Sequence, residues 1–80
     1  MAATNPQDGD LVVRSERRLN GRRAFLITPL AGSLRWETTC PTYEDAVQVA
    51  ARTAQFYRSD IWFTKDGVTF DLVVSYRADT

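Results

Sequence analysis

The alternation of apolar and polar side chains divides this chain into short segments. Leu11 to Arg18 and Arg22 to Leu30 are strand-like runs around Asn20-Gly21. Asn-Gly between two such runs marks a tight hairpin, because a type I′ turn needs positive φ at both central positions. A two-residue turn sets Arg18 opposite Arg23 and sorts the side chains into two faces. Leu11, Val13, Ser15, Ala24, Leu26, Thr28 and Leu30 fall on the face expected in the core. Val12, Arg14, Glu16, Arg18, Arg23, Phe25 and Ile27 fall on the other, which is amphipathic. Ala31-Gly32-Ser33 reads as a turn and Leu34 to Thr39 as a third strand, ended by Cys40-Pro41. Whether that strand joins the main sheet is left open by the pattern.

Thr42 opens a helix expected from Tyr43 to about Arg58. Thr42 with Asp45 three residues on is a capping-box pattern, and Glu44 and Asp45 place negative charge at the positive end of the helix dipole. At helical spacing Tyr43, Val47, Ala50, Ala51, Ala54 and Tyr57 share one side, the expected contact with a sheet. Val49 and Phe56 fall nearly opposite, which suggests a second contact. Asp60 to Thr64 and Val68 to Arg77 form a further hairpin around Asp66-Gly67. A two-residue turn pairs Phe63 with Phe70 and Ile61 with Leu72 on the buried side, and leaves Trp62 outside the core opposite Asp71.

The predicted fold class is α+β, a single helix packed on a four- or five-stranded mainly antiparallel sheet, in the order β-β-β-α-β-β. One helix covers only one sheet face. The uncovered face is then expected to hold Trp62, Phe25, Ile27 and Val12 among Arg14, Arg18, Arg23 and Asp71. Burying a large apolar side chain is worth about 1.5–3 kcal/mol, so several left wet forgo a sum comparable to the stability of a small domain. A partner covering that face is the expectation.

Length bounds the rest. Eighty residues make one domain, expected as a flexible tail over 1–9 and a single α+β domain over 10–80. Ten basic and ten acidic residues cancel, which argues against a protein that coats duplex DNA or an anionic membrane. The chain has no His, the commonest general base and metal ligand. Its one cysteine, Cys40, closes no internal disulfide. No apolar run exceeds four residues, far short of the ~20 of a spanning helix, so a cytoplasmic setting is expected.

From Trp36 onward, Thr42-x-Glu44-Asp45-Ala46, an Ala-rich helix, a short strand, Asp66-Gly67 and Ser75-Tyr76 follow in succession. This succession resembles a family of small bacterial β-β-α-β domains of unknown function, over roughly the last half of the chain. Glu44-Asp45-Ala46 carries an extra residue relative to the family's Glu-Ala step. The resemblance implies the fold and a bacterial cytosol, and it supplies no catalytic residues.

Chemistry is sparse. Between Leu11 and Arg35 six arginines stand with one acid, and nine of the ten basic residues are Arg. The planar guanidinium suits phosphate or carboxylate and stacks on rings, and a like-charged cross-strand pair is unfavourable unless an anion sits between. An acidic partner and a plain solvated hairpin tip both fit. Aromatics interleaved with arginines are one way single-stranded nucleic acid is held; a self-complementary face pairing with its own copy is another. Cys40, without a base, reads as a packed residue. Glu44, Asp45, Glu37 and Asp71 form no recognisable acid–base pair. The expected function is therefore a non-enzymatic interaction module, without cofactor or metal, self-associating as a homodimer through the open sheet face. The alternative is a single-stranded nucleic-acid binder, and an acidic protein partner also remains open. The partner-binding residues expected are Arg14, Arg18, Arg23, Phe25, Ile27, Trp62, Val49 and Phe56.

Overall fold

Five strands and a helix follow one another as β1 (Leu11–Arg17), β2 (Arg23–Pro29), β3 (Thr38–Cys40), α1 (Tyr43–Tyr57), β4 (Asp60–Thr64) and β5 (Asp71–Ser75). They are seen in a computed structural model that describes residues 5–7, 9–30 and 36–76. The strands form one sheet in the order β3-β2-β1-β4-β5. β1 pairs with β4 in parallel, and the other neighbours are antiparallel. The sheet is therefore mixed, and α1 lies across one face of it. A parallel pair cannot be joined by a tight turn, and β2, β3 and α1 supply the crossover. The expected turn at 31–33 and the start of the expected third strand lie outside the described residues.

The helix begins where the cap pattern puts it. Thr42 is extended (φ −129°), and its hydroxyl accepts from the Asp45 amide at 3.1 Å, satisfying one of the orphan donors of the first turn. Ala46, Ala50 and Ala54 are fully enclosed. Their small side chains bring the helix close to Leu11, Val13, Ile27, Cys40 and Ile61 of the sheet. The contact stripe is rotated from the expected one. Ala46 belongs to it, Val47 and Ala51 are half-buried, and Tyr57 is exposed. Arg58 ends the helix in the left-handed conformation (φ 54°), with its own amide and that of Ser59 returning to the Ala54 carbonyl.

The first hairpin departs from expectation by one residue. Arg17 lies opposite Arg23, Ser15 opposite Phe25 and Val13 opposite Ile27. The loop is Leu19-Asn20-Gly21, closed by Gly21 N–H to Arg18 O (2.9 Å) and Arg18 N–H to Arg22 O (2.7 Å). Gly21 takes positive φ and Asn20 does not. That is the three-residue turn with a left-handed glycine, not the two-residue type I′ turn. The Asn20 side chain accepts from the Arg22 amide at 2.9 Å and braces it. Because side chains alternate, a slip of one residue exchanges the two faces of β2. Phe25 and Ile27 turn to the helix side, and Ala24 and Leu26 to the other.

The apolar side chains of β1, β2 and β4 on the far face are buried within the single chain. Trp62 lies opposite Val12 and Leu72, on the side away from α1, yet it is only 2% exposed, and Val12, Ala24 and Leu26 beside it are buried. The expected open face holding Trp62, Phe25 and Ile27 is thus corrected: Ile27 is in the helix-side core, Phe25 is half-buried on the helix side, and Trp62 is enclosed.

Asp10 ties this face together. Its carboxylate accepts from the Asp60 amide (3.1 Å), the Trp62 indole N–H (3.1 Å) and the Gln7 amide (2.9 Å). Asp60 in turn accepts from the Ser75 hydroxyl at 2.6 Å. Gly9 N–H to Leu30 O and Leu30 N–H to Asp10 O continue the β1–β2 ladder backwards, so the chain is already anchored at Gln7, ahead of the expected boundary at Asp10.

Two outcomes are expected. Asp10→Ala strands two buried donors at about 1–3 kcal/mol each and lowers the urea midpoint accordingly, with Asp10→Asn losing less. Arg58→Gly removes a left-handed non-glycine residue from an exposed helix end and stabilises by about 1 kcal/mol, read as a rise in thermal midpoint.

Candidate functional site

The rotated register builds a groove on the helix side of the sheet. Phe25 of β2, Phe63 of β4 and Tyr43 of the first helical turn form a three-ring cluster. Phe25 and Tyr43 meet edge-on at 6.0 Å between centroids, Tyr43 and Phe63 edge-on at 5.2 Å, and Phe25 and Phe63 tilted at 6.5 Å. Phe25 and Phe63 also pack on the core below, which fixes their rings. Around them Ser15, Arg23, Lys65, Asp71, Leu72 and Val73 complete an open groove of about 690 Å³, within the ~300–1,000 Å³ range of small-molecule sites.

Its charge comes from the hairpin. Arg23 donates from Nη1 to the Ser15 hydroxyl at 3.1 Å, so the guanidinium is held over the groove by a residue of the facing strand. Arg17 is the cross-strand neighbour of Arg23 on the same face. That pairing puts a second arginine on the same face as Arg23, and guanidinium groups suit phosphate or carboxylate. Among the described residues that line the groove, two cations, Arg23 and Lys65, stand with the carboxylate of Asp71.

Lys65 sits at the start of a loop ordered by Asp66. The exposed Asp66 carboxylate accepts from the amides of Val68 and Thr69, each at 2.8 Å, and from the Thr64 hydroxyl at 3.4 Å. The backbone donation by Thr69, then that by Val68, holds its pKa below the ordinary aspartate value. Gly67 takes positive φ and donates to Thr64 Oγ1 at 2.8 Å. Six residues thus separate β4 from β5, not two, and Phe63 faces Asp71 while Trp62 faces Leu72. The expected Phe63–Phe70 and Ile61–Leu72 pairs are replaced accordingly.

The residues expected from the sequence are dispersed. Arg23 and Phe25 are in the groove. Arg14 is exposed on the opposite face, beside Leu26 and Thr64. Arg18 donates to Thr39 Oγ1 at 3.3 Å, away from the groove. Ile27 and Trp62 are enclosed. Val49 and Phe56 are exposed on the outer side of α1, 39% and 79% respectively, with Phe56 edge-on to Tyr57 at 4.9 Å. Arg17, Tyr43, Phe63 and Lys65 are not among the residues expected: a two-residue first turn puts Arg17 on the face away from Arg23, Tyr43 and Phe63 read as core, and Lys65 reaches the groove only through the six-residue connection after β4. Cys40 is buried in the core; burial, and then the Asp45 charge, push its thiol pKa up, which disfavours the nucleophilic thiolate. No group of three or more His, Cys, Asp or Glu suited to a metal occurs among the described residues. No helix among them is long and apolar enough to cross a membrane.

No family model, curated protein or solved structure matches this chain.

A pH dependence follows from Asp66. A carboxylate with a depressed folded pKa contributes stability that is present above the unfolded value, about 3.9, and is lost as pH falls through the lower folded value. Carbon-13 NMR of the Asp66 carboxyl is expected to titrate below ordinary aspartates. The Lys65 and Thr69 amide signals are expected to shift in the same window, and Asp66→Asn is expected to abolish that coupled shift.

Proposed function

We propose that this protein is a non-catalytic binding module that holds single-stranded nucleic acid in the groove formed by Phe25, Tyr43 and Phe63. The observation that carries the reading is the meeting of three rings with Arg23 and Lys65 in one groove, with Arg17 as the cross-strand neighbour of Arg23. Unpaired bases offer π-faces to aromatic side chains, and the phosphates between them meet guanidinium and ammonium groups. A duplex is disfavoured, because its bases are already stacked on one another and the chain carries no net charge to hold a polyanion over a long stretch. The absence of His from the chain supports a role in binding over acid–base chemistry.

The resemblance of the second half to small bacterial β-β-α-β domains supports a bacterial, cytoplasmic setting, and a lone buried thiol suits a reducing compartment. The homodimer expected from the sequence loses its original basis, since Trp62 and Ile27, the large apolar groups assigned to the open face, are buried within the chain.

The test is anisotropy of a fluorescent oligouridine or oligothymidine with the intact chain at several salt concentrations. Binding is expected to weaken with salt with a log–log slope near −2, as for about three phosphates on a single strand. Tyr43→Ala is expected to weaken it about 5- to 100-fold by loss of one stacking platform. Arg23→Ala and Lys65→Ala are each expected to flatten the slope. Absence of binding at millimolar protein, or an affinity indifferent to salt and to these three variants, overturns the reading.

A further inference from the structure

Asp71 is the only acid among the described residues that line the groove. A carboxylate repels phosphate and, when ionised, only accepts hydrogen bonds, so it weakens a nucleic-acid groove unless the ligand brings donors to it. Its place on the sheet is fixed. Asp71 opens β5 as the cross-strand partner of Phe63, and directly opposed residues share a face with Cβ atoms about 4.5–5.5 Å apart. The carboxylate therefore stands beside the Phe63 side chain, whose ring meets Tyr43 edge-on at 5.2 Å. Asp71 is exposed, and no hydrogen bond or ion pair to another described residue engages its side chain. Both carboxylate oxygens are open to a ligand held against the rings.

We propose that Asp71 determines base specificity and gives the groove a preference for guanine, its two oxygens accepting from N1–H and from the N2 amino group of the base. This deepens the single-stranded nucleic-acid reading and rests on it. An unpaired base held against aromatic side chains keeps its Watson–Crick edge free for hydrogen bonding. Among the four bases only guanine places two adjacent donors on that edge, matching the two oxygens of a carboxylate. Cytosine and adenine each offer one amino group beside an acceptor nitrogen, and uracil one N–H between two carbonyl oxygens. Facing any of these three, a carboxylate leaves one oxygen against a lone pair. A site built to pair with a ligand's donors discriminates strongly against analogues that lack them. Arg23 and Lys65 address the phosphates, so the charged groups of the groove divide between the backbone and the base of one ligand.

The test titrates the intact chain into fluorescein-labelled hexauridine and into hexamers carrying one central guanosine, inosine, adenosine or cytidine, read by anisotropy at one low salt concentration. The guanosine hexamer is expected to bind about 5- to 150-fold tighter than hexauridine, the range of one good bidentate contact. Inosine keeps N1–H and lacks the N2 amino group, so it is expected to recover only part of that gain. Asp71→Asn replaces one acceptor by a donor at the same size, and is expected to bring the guanosine and uridine hexamers within about twofold of each other. It is also expected to strengthen hexauridine binding, because a charge that repels phosphate is gone. A merely structural role at the start of β5 weakens every hexamer alike and leaves their ranking in place. The inosine comparison uses the unaltered chain and carries the test even if Asp71→Asn fails to fold. Equal affinity for all hexamers, equal affinity for guanosine and inosine, or a guanosine preference that persists in folded Asp71→Asn overturns the assignment of Asp71 and leaves the groove reading standing. Failure of every hexamer to bind overturns the groove reading, and the assignment with it.

Discussion

Gly21 sits in the left-handed region at the tip of the first hairpin, and the pairing of Arg17 with Arg23 follows from it. That pairing aims Phe25 and Ile27 at the helix and sends Ala24 and Leu26 to the far side. Every other feature of the helix face inherits this choice. Ile27 becomes a core residue under Ala46, Ala50 and Ala54, Phe25 reaches Tyr43 and Phe63, and Ser15 comes within reach of the Arg23 guanidinium. Had the loop held two residues, Phe25 would lie on the far face and there would be no ring cluster.

Asp10 does for the opposite face what the hairpin does for the helix side. A buried carboxylate is costly to desolvate unless hydrogen-bonded, and here it accepts from a strand amide, an indole and the chain leading into β1. The indole N–H of Trp62 also needs an acceptor when enclosed. The two residues meet each other's requirement, which lets a thin sheet bury a large ring on the side that the helix does not cover. The acceptors and donors of this network come from both ends of the chain, so it forms only once β1 and β4 are side by side. It therefore links the first strand to the second half of the fold.

The groove and the free β5 edge lie next to one another because both follow from how β4 reaches β5. The six-residue connection ordered by Asp66 carries Lys65 to the groove and shifts the pairing so that Asp71 faces Phe63. The irregularity at Ile61/Trp62 then turns Val73 inward and leaves Leu72 and Val74 outside. The groove and the β5 edge thus share one wall.

Much of the architecture is legible in the amino-acid sequence, since it depends on local rules. Thr42 with Asp45 marks the helix start, short apolar-rich runs around Asn20-Gly21 and Asp66-Gly67 mark the strands of two hairpins, and the alanines mark a close helix–sheet contact. These signals involve residues a few positions apart, whose geometry is set by the backbone. The candidate site is less legible, with only Arg23 and Phe25 identified in advance. Asn20-Gly21 and Asp66-Gly67 announce turns, but not the number of residues in each loop, which is three in the first and six in the second. Asn20 and Asp66 bracing the neighbouring amides then accommodates the longer loops. A one-residue difference in length is nearly free locally, yet it reverses a whole strand face. Which side of the sheet each ring occupies, and whether Trp62 is wet or enclosed, were therefore settled only by contacts between segments some 50 residues apart, as the Asp10–Trp62 bond illustrates.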